Sequence, residues 1–311
     1  MSPPHAMMEE LRLRLRGISS LSSREVAELM GRHEITADEL LVALLPIAAE
    51  RARSPVSKFR VGAVALGMPD IDRPGLPGAC YLGANLEFAN VPLCLTVHAE
   101  QSAVNNAWLH NERGVSMLAV TAAPCGFCRQ FLQELTTALQ LRVIVATRQQ
   151  SGWEWTSTSL PQLLPSPFGP ATLGCRHRLM EVDIRQDEPS ADASLTSQAS
   201  MAAVLSYAPY SDNRAGVAFA TKSLGPVWGR SAESAAFNPT LTAMQSALAM
   251  LALRTSSEFH DEVTAACLAE CPTNVSQRAV SELLLSEIGP QLTLEHHAMR
   301  LVRFPAAAAS E

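Results

Sequence analysis

The fold is decided by His98-Ala99-Glu100 together with the later stretch Pro124-Cys125-Gly126-Phe127-Cys128. One imidazole and two thiolates can hold a zinc ion at three corners of a tetrahedron and leave the fourth corner open. A glutamate beside the histidine can carry protons without binding the metal. A CxxC pair alone also occurs as a redox pair, as half of a structural zinc site or as two buried thiols. The combination in this order favours zinc ligands at His98, Cys125 and Cys128, with Glu100 as the acid–base group.

Both groups of ligands are expected at the starts of helices. Cys125 and Cys128 are three residues apart, so they would lie on the first turn of a helix predicted over residues 125–139. The positive potential at a helix N-terminus lowers thiol pKa values and stabilises thiolate ligands. Pro124 suits this position because proline has no N–H to leave unsatisfied. His98 would open a second helix, predicted over residues 98–109.

The segments around these motifs predict an α/β domain. Apolar runs rich in Val and Ala indicate buried strands, and a loop rich in Pro and Gly covers residues 68–79. The strands are predicted at residues 59–66, 81–88, 117–121 and 141–146, and the helices at 36–52, 98–109 and 125–139. The order helix, strand, strand, helix, strand, helix, strand predicts a three-layer α/β/α fold with a mixed sheet.

The second half of the chain repeats the first. Residues 55–62, PVSKFRVG, align with residues 209–216, PYSDNRAG, and the later motifs follow in the same order. The second copy has lost the ligands, because Thr242-Ala243-Met244 stands for His98-Ala99-Glu100 and residues 272–276, PTNVS, stand for PCGFC. We therefore predict a tandem duplication whose degenerate second copy folds like the first and binds no zinc.

These patterns divide the chain into four parts. We predict an N-terminal helical segment at residues 1–50 and a zinc domain at 51–185. Residues 186–200, QDEPSADASLTSQAS, are small and polar without periodicity, which is typical of a linker. The degenerate copy is predicted at residues 201–311.

Four motifs in succession resemble those of cytidine deaminases. They are residues 57–63 (SKFRVGA), 83–88 (GANLEF), 96–103 (TVHAEQSA) and 123–131 (APCGFCRQF). The duplication matches the two-domain, homodimeric type of plants and some bacteria. The resemblance implies hydrolytic deamination of cytidine and deoxycytidine to uridine and deoxyuridine plus ammonia in pyrimidine salvage. It also implies one zinc ion per chain, with the cytidine-deaminase-like fold in both copies.

The resemblance assigns further residues to the substrate. Asn85 and Glu87 are two apart in a predicted strand, so they share a face, and the family uses them for the ribose. Phe59 would stack on the pyrimidine, Ala99 would contact the substrate, and Phe168 would reach across the dimer into the partner's site. From the residues alone, Phe59 is equally a core residue, and Asn85 and Glu87 are equally a polar strand face.

The hypothesis for the reaction follows from the neutral charge of a zinc ion held by two thiolates and one imidazole. Water at such a centre needs a base to ionise, and Glu100 is the group beside it. Glu100 would take a proton from water, pass it to N3 of the pyrimidine, and protonate the ammonia that leaves C4.

Charge separates this hypothesis from its alternatives. The 311-residue chain carries a net charge of −6, and Lys58 and Lys222 are its two lysines. A polynucleotide-editing deaminase would need a basic channel with stacking aromatics, so we expect a small nucleoside as substrate and no nucleic acid. A zinc-stabilised, non-catalytic partner protein is the second alternative, but it would need neither Glu100 nor the pair Asn85 and Glu87. A deoxycytidylate deaminase would need phosphate-binding groups that the sequence does not identify.

The cysteines and the apolar runs bear on the compartment. Seven cysteines are an odd number without a disulfide-like spacing, and thiolate ligands favour a reducing environment. The run Leu40–Ala49 is too short for a membrane span and is interrupted by Pro46. The first 16 residues have no apolar signal-peptide core. We expect a cytoplasmic protein with no membrane contact.

Overall fold

The structure is a computed structural model that describes residues 3–69, 75–181 and 194–299. Three helices come first, α1 (His5–Arg14), α2 (Ser23–His33) and α3 (Ala37–Ala49). Ser22 and Thr36 cap α2 and α3 in capping boxes with Glu25 and Glu39. Helix α3 ends at Ala49, three residues before the predicted end.

The first α/β unit contains a six-stranded mixed sheet. Its strands are β1 (Ser20–Leu21), β2 (Gly62–Gly67), β3 (Cys80–Ala84), β4 (Val115–Val120), β5 (Arg142–Gln149) and β6 (Gly152–Ser159). Its helices are α4 (Ala99–Leu109), α5 (Gly126–Leu132) and α6 (Leu160–Leu163), with 3₁₀ turns at Leu93–Leu95 and Pro170–Leu173. The strand order is β1-β3-β2-β4-β5-β6, with β4 and β5 parallel and the other neighbours antiparallel.

The second unit repeats the central four strands of this sheet. Its elements are α7 (Leu195–Val204), β7 (Ala215–Thr221), β8 (Val227–Arg230), α8 (Ala243–Arg254), α9 (Phe259–Glu262), β9 (Val263–Glu270), α10 (Arg278–Ile288) and β10 (Leu294–Ala298). The order β8-β7-β9-β10, with β9 and β10 parallel, matches β3-β2-β4-β5. The tandem α/β fold with two mixed sheets is thus confirmed.

Alternating residues of β2 divide the core into two layers. Val64 and Leu66 pack with the side chains of α3, whereas Ala63 and Ala65 belong to the cluster that includes α4. Helix α4 lies close to the sheet because Gly83 has no side chain, and a Cβ there would come within 2.3 Å of the Ala103 nitrogen. This close contact fixes the helix that carries His98 and Glu100.

The two units meet through their equivalent helices. Gln101 Nε2 of α4 donates to the carbonyl of Pro239 at 2.9 Å, and Gln245 Nε2 of α8 donates to the carbonyl of Leu95 at 2.9 Å. The two hydrogen bonds are related by exchange of the copies, so the units face each other as a dimer of identical subunits would. One hydrophobic cluster runs through both units.

A buried carboxylate joins the units at a second place. Glu134 follows α5 and accepts hydrogen bonds from Tyr207 Oη at 3.1 Å, Tyr210 Oη at 2.7 Å and the Ala235 nitrogen at 2.8 Å. Burial raises the pKa of Glu134, although these donors oppose the shift. The three donors compensate the cost of burying this polar group between the units.

Several predicted bounds differ from the structure: besides α3, the strands predicted over 59–66 and 81–88 are Gly62–Gly67 and Cys80–Ala84. The helix predicted over 125–139 ends at Leu132, because Thr137 bonds through its Oγ1 to both the nitrogen and the carbonyl of Val115. Residues 182–193, with most of the predicted linker, lie outside the described residues. The end of that linker belongs to α7, whose buried alanines pack against Gly216 without the large apolar residues that reveal a helix in sequence.

No helix in the three described ranges is long and apolar enough to cross a bilayer.

Candidate metal centre

Two helix starts bring the predicted zinc ligands together. His98 is the N-cap of α4, Cys125 is the N-cap of α5, and Cys128 lies on the first turn of α5. Helix α4 packs on β2, and β4, the strand that precedes α5, is the neighbour of β2. The chain therefore passes close to α4 before it enters α5. The three predicted ligands therefore lie together in one site, at the ends of the strands of the first sheet.

The distances between the donor atoms fit a tetrahedral zinc site. His98 Nδ1 lies 3.5 Å from Cys125 Sγ and 3.2 Å from Cys128 Sγ, and the two sulfurs are 3.7 Å apart. Zinc bonds of ~2.3 Å to sulfur and ~2.0 Å to nitrogen place tetrahedral donors about 3.5–3.8 Å apart. Cys128 is buried while Cys125 is exposed, so the site has a protein side and an open side.

The electrostatics of the site favour thiolate at Cys125. Hydrogen bonding from the Cys128 thiol and from His98 lowers the pKa of Cys125 to about 3. The hydrogen bond to Cys125 and burial raise the pKa of Cys128, while the hydrogen bond to Cys125 raises the pKa of His98. A bound zinc ion would add two positive charges, which ionise a coordinating thiol outright.

Glu100 lies beside the ligands without belonging to their set. Its side chain is buried and hydrogen-bonded to Cys128, and burial raises its pKa. The three atoms that lie within 4.8 Å of one another belong to His98, Cys125 and Cys128. A carboxyl group with a raised pKa is suited to take up and release a proton near neutral pH.

Strand β3 ends at Ala84, so Asn85 and Glu87 follow the strand instead of lying in it as predicted, and both hold the loop that carries Phe59. Asn85 Oδ1 accepts from the Val61 nitrogen at 2.8 Å, and Asn85 Nδ2 donates to the Phe59 carbonyl at 3.0 Å. Glu87 accepts from the Ser57 nitrogen at 2.9 Å and from Ser57 Oγ. Burial disfavours the Glu87 carboxylate, but the loop donors outweigh it and lower its pKa.

Phe59 is not a core residue. Its side chain is 61% exposed, although the core was one of its two interpretations from sequence. The Phe59 nitrogen donates to Ser57 Oγ at 3.0 Å, so the hydroxyl that holds Glu87 also fixes the residue beside it. An exposed aromatic on a braced loop is available to stack on a planar ligand.

Sequence reasoning missed three supports of the site. The Phe127 ring stacks on the His98 imidazole with the ring centroids 5.0 Å apart. Arg129 donates to the carbonyls of Pro124 and Leu163, each at 2.8 Å. Gln130 donates to the carbonyl of Phe168 at 2.7 Å. The PCxxC motif identifies the ligands. The contacts of the side chains between and after the two cysteines depend on the fold, so the sequence pattern alone does not predict them.

The second copy keeps the loop brace and loses the metal ligands. Glu233 accepts from the Tyr210 nitrogen at 2.8 Å, the Ser211 nitrogen at 3.2 Å and Ser211 Oγ, as Glu87 does in the first copy. Thr242 caps α8 where His98 caps α4, and Met244 is buried where Glu100 stands. Among the residues that the structure describes, the zinc triad is found in the first copy alone.

This geometry defines a zinc-dependent deaminase class of site, and comparison with known proteins agrees with it. Two family models, both described as "Cytidine and deoxycytidylate deaminase zinc-binding region", match residues 35–146 and 160–282. A cytidine deaminase of Vibrio cholerae is 37% identical over 89% of this chain and 89% of its own length. A cytidine deaminase of Pectobacterium carotovorum is 40% identical over 89% of this chain and 88% of its own length. The chain belongs to the cytidine deaminase family.

Zinc analysis of the purified protein should give one zinc ion per chain. The first copy supplies three ligands, and Thr273 and Ser276 replace the two cysteines in the second copy. Inductively coupled plasma mass spectrometry against amino-acid analysis measures the ratio. Two zinc ions per chain would show that the second copy also binds metal.

Proposed function

We propose that this chain deaminates cytidine and deoxycytidine hydrolytically, in pyrimidine salvage. The observation that carries the proposal is the buried Glu100 beside a zinc triad whose donors lie 3.2–3.7 Å apart. A metal site with a structural role alone would not need a buried carboxyl group whose pKa is raised. The zinc unit, residues 51–185, carries the chemistry, and the copy at 201–311 supplies packing surface.

The proposed chemistry moves two protons through Glu100. Zinc at the triad acts as a Lewis acid that lowers the pKa of water. Glu100 takes one proton from the attacking water and delivers it to N3 of the pyrimidine. The water oxygen bonds to C4, and Glu100 transfers the second proton to the 4-amino group. The C4–N bond breaks, and the products are uridine and ammonia.

The backbone of Ala99 is the proposed donor to the pyrimidine ring. Its N–H is one of the free donors at the start of α4. In the second copy the equivalent N–H, that of Ala243, donates to Gln277 Oε1 at 2.9 Å. The residue that aligns with Gln277 is Arg129, which bonds elsewhere, and no acceptor for the Ala99 N–H lies within the described residues. A ring carbonyl oxygen of the substrate would fill this position.

Phe59, Asn85 and Glu87 form the proposed wall for the nucleoside. Phe59 stacks on the ring, while Asn85 and Glu87 face the ribose with the hydrogen-bonding capacity that the loop leaves free. The Asn85 amide already bonds through both of its polar atoms, so its rotamer is fixed. A fixed amide would hold a ribose hydroxyl in one well-defined position.

Ser57→Ala should raise KM for cytidine by about tenfold with a smaller effect on kcat. The change removes the hydroxyl that bonds both Glu87 and the Phe59 nitrogen, and one lost charge-assisted hydrogen bond corresponds to about 1.5 kcal/mol. Ser211→Ala is the matched control, since Ser211 makes the same bonds in the second copy. Steady-state kinetics on both variants measures the difference. Equal effects of the two changes would remove the Phe59 loop from substrate binding.

The substrate is tested with four compounds side by side. Ammonia release should be seen with cytidine and deoxycytidine and should be at least about a hundredfold slower with deoxycytidylate and with a cytosine-containing oligonucleotide. Faster release from the oligonucleotide would assign the site to polynucleotide editing. Faster release from deoxycytidylate would require a phosphate site at the open side of the zinc triad.

A homodimer is the proposed assembly, with Phe168 of each chain completing its partner's pocket. Phe168 is 46% exposed, and its carbonyl is held by Gln130 beside α5. Two chains of two copies would imitate four subunits around two working sites. Thiolate ligands favour a reducing compartment, so we propose a cytoplasmic location for this dimer.

Mixed dimers distinguish a cross-chain role of Phe168 from a role in its own chain. A dimer of one Glu100→Ala chain and one Phe168→Ala chain has one site with an intact Glu100. If Phe168 acts across the dimer, that site receives it from the Glu100→Ala chain and keeps the wild-type KM. A KM equal to that of the Phe168→Ala homodimer would place the residue in its own chain's site, and a fully active monomer in light scattering would exclude the dimer.

A further inference from the structure

A cleft of about 1080 Å³ lies where three parts of the chain meet. The N-terminal segment contributes residues 12, 15–17, 47 and 50, the catalytic unit contributes residues 51–55, 58, 60 and 86–89, and the second unit contributes residues 252–256, 258–260, 287 and 288. Of the proposed nucleoside-site residues, Glu87 lines the cleft, whereas the zinc ligands, Glu100, Phe59 and Asn85 do not. Its volume is that of a site for a small organic ligand.

The cleft is basic although the chain is acidic. Seven Arg and Lys side chains line it against four Glu side chains, while the whole chain has a net charge of −6. Low-dielectric walls with one excess sign of charge concentrate the field inside a cleft and attract ligands of opposite sign. The local charge therefore selects an anion.

All four carboxylates of the cleft are already engaged. Glu50 lies 2.5 Å from Arg12, and Glu258 lies 3.7 Å from Arg53. The other two accept hydrogen bonds from main-chain nitrogens, Glu87 from residues 56 and 57 and Glu287 from residue 89. These pairs engage two cations. The other five Arg and Lys side chains form no ion pair with a carboxylate of the cleft, although the charge of Lys58 helps to lower the pKa of Glu87.

The five remaining cations fall into two groups. Arg51 donates to the carbonyls of Leu15 and Leu253, and Arg254 donates to those of Leu224 and Pro226, so main-chain oxygens hold both guanidinium groups in place. Arg16, Lys58 and Arg60 are exposed, and their side chains have no hydrogen bond or ion pair within the described residues. The first group is positioned and the second is free to close on a ligand.

We propose that this cleft binds a small polyphosphate anion, such as the phosphate chain of a nucleoside triphosphate. Basic side chains from three different parts of the chain match a ligand that carries several negative charges along its length. A phosphate chain also offers paired oxygens, which the planar guanidinium group binds bidentately. The walls on three sides suit a ligand of limited length better than a continuous nucleic-acid backbone.

Occupancy of the cleft would act on the proposed nucleoside site. Lys58 and Arg60 flank Phe59, and Glu87 holds the same loop through its bonds to Ser57. An anion bound by these two side chains would restrict the loop and change KM for cytidine. This consequence rests on the proposed function, whereas anion binding itself does not.

Isothermal titration calorimetry on the zinc-loaded full chain tests the binding, with sodium tripolyphosphate and ATP as separate probes. We expect one site per chain, an affinity that falls with added salt, and about tenfold weaker binding in each of Arg16→Gln and Lys58→Gln. Arg24→Gln and Lys222→Gln are the matched controls outside the cleft and should change the affinity less than twofold. Equal binding of both probes assigns recognition to the phosphate chain, and tighter ATP binding adds a nucleoside contact.

Four results would overturn the proposal. They are no binding by the wild-type chain, unchanged affinity in both cleft variants, heat that accompanies loss of zinc by chelation, and displacement of ATP by a thymidine oligonucleotide. KM for cytidine with saturating tripolyphosphate is measured in parallel. A chain that binds the anion but shows no deaminase activity would contradict the proposed function alone.

Discussion

Glu100→Gln should abolish turnover of cytidine and leave one zinc ion bound. The amide has the shape of the carboxyl group but cannot accept and return a proton, so both proton transfers are lost. General acid–base groups contribute about 10²–10⁴-fold, and the loss should reach the upper end because Glu100 acts at two steps. Ammonia release and zinc content are measured on the same preparation.

The outcome separates the roles of Glu100. Loss of zinc would make the residue a ligand or a structural support, which its position outside the triad argues against. Activity within tenfold of the wild type would move the proton transfers to another group. Glu100→Ala should lose the same activity, and its buried site would also lose stability from the cavity that the shorter side chain leaves.

Cys125→Ala should remove zinc and lower the free energy of unfolding by more than about 4 kcal/mol, the range associated with loss of a metal. The binding energy of a metal to ligands brought together by folding is also folding energy. Without zinc, α4 and α5 lose the ion that joins their N-termini. Urea unfolding followed by circular dichroism measures the change.

Thr273→Ala is the matched control, since Thr273 replaces Cys125 in the second copy and its hydroxyl bonds locally to Val275. Its cost should stay below about 1 kcal/mol. The Cys125→Ala chain should unfold at the same urea concentration as wild-type protein stripped of zinc by a chelator. If the Cys125→Ala chain were as stable as the zinc-loaded wild-type protein, the metal would not hold α4 and α5 together.

The site was predictable from sequence where the chemistry is local. A histidine at one helix start and two cysteines on the first turn of another are fixed by the caps and the 3.6-residue turn. The capping boxes at Ser22 and Thr36 follow from a similarly short pattern, a Ser or Thr followed three residues later by Glu. The loss of all ligands in the second copy was likewise legible once the repeat was aligned.

Contacts between distant segments were not predictable in the same way. Helix α5 ends early because Thr137 bonds to the start of β4, and strand β6 was missed because its polar, half-exposed residues alternate weakly. The bond of Glu87 to Ser57 joins residues 30 apart, and a sequence pattern gives the two residues but not their contact. The structure adds that Glu87, a proposed ribose contact, also holds the Phe59 loop.

Deamination of cytidine in ¹⁸O-labelled water tests the central claim most directly. Hydrolysis at C4 predicts uridine with one ¹⁸O in its 4-carbonyl group and one ammonia per uridine, both lost in Glu100→Gln. Mass spectrometry of the nucleoside and an enzymatic ammonia assay measure both products in one reaction. Absence of uridine, or uridine without the label, would contradict zinc-dependent hydrolytic deamination at His98, Cys125 and Cys128.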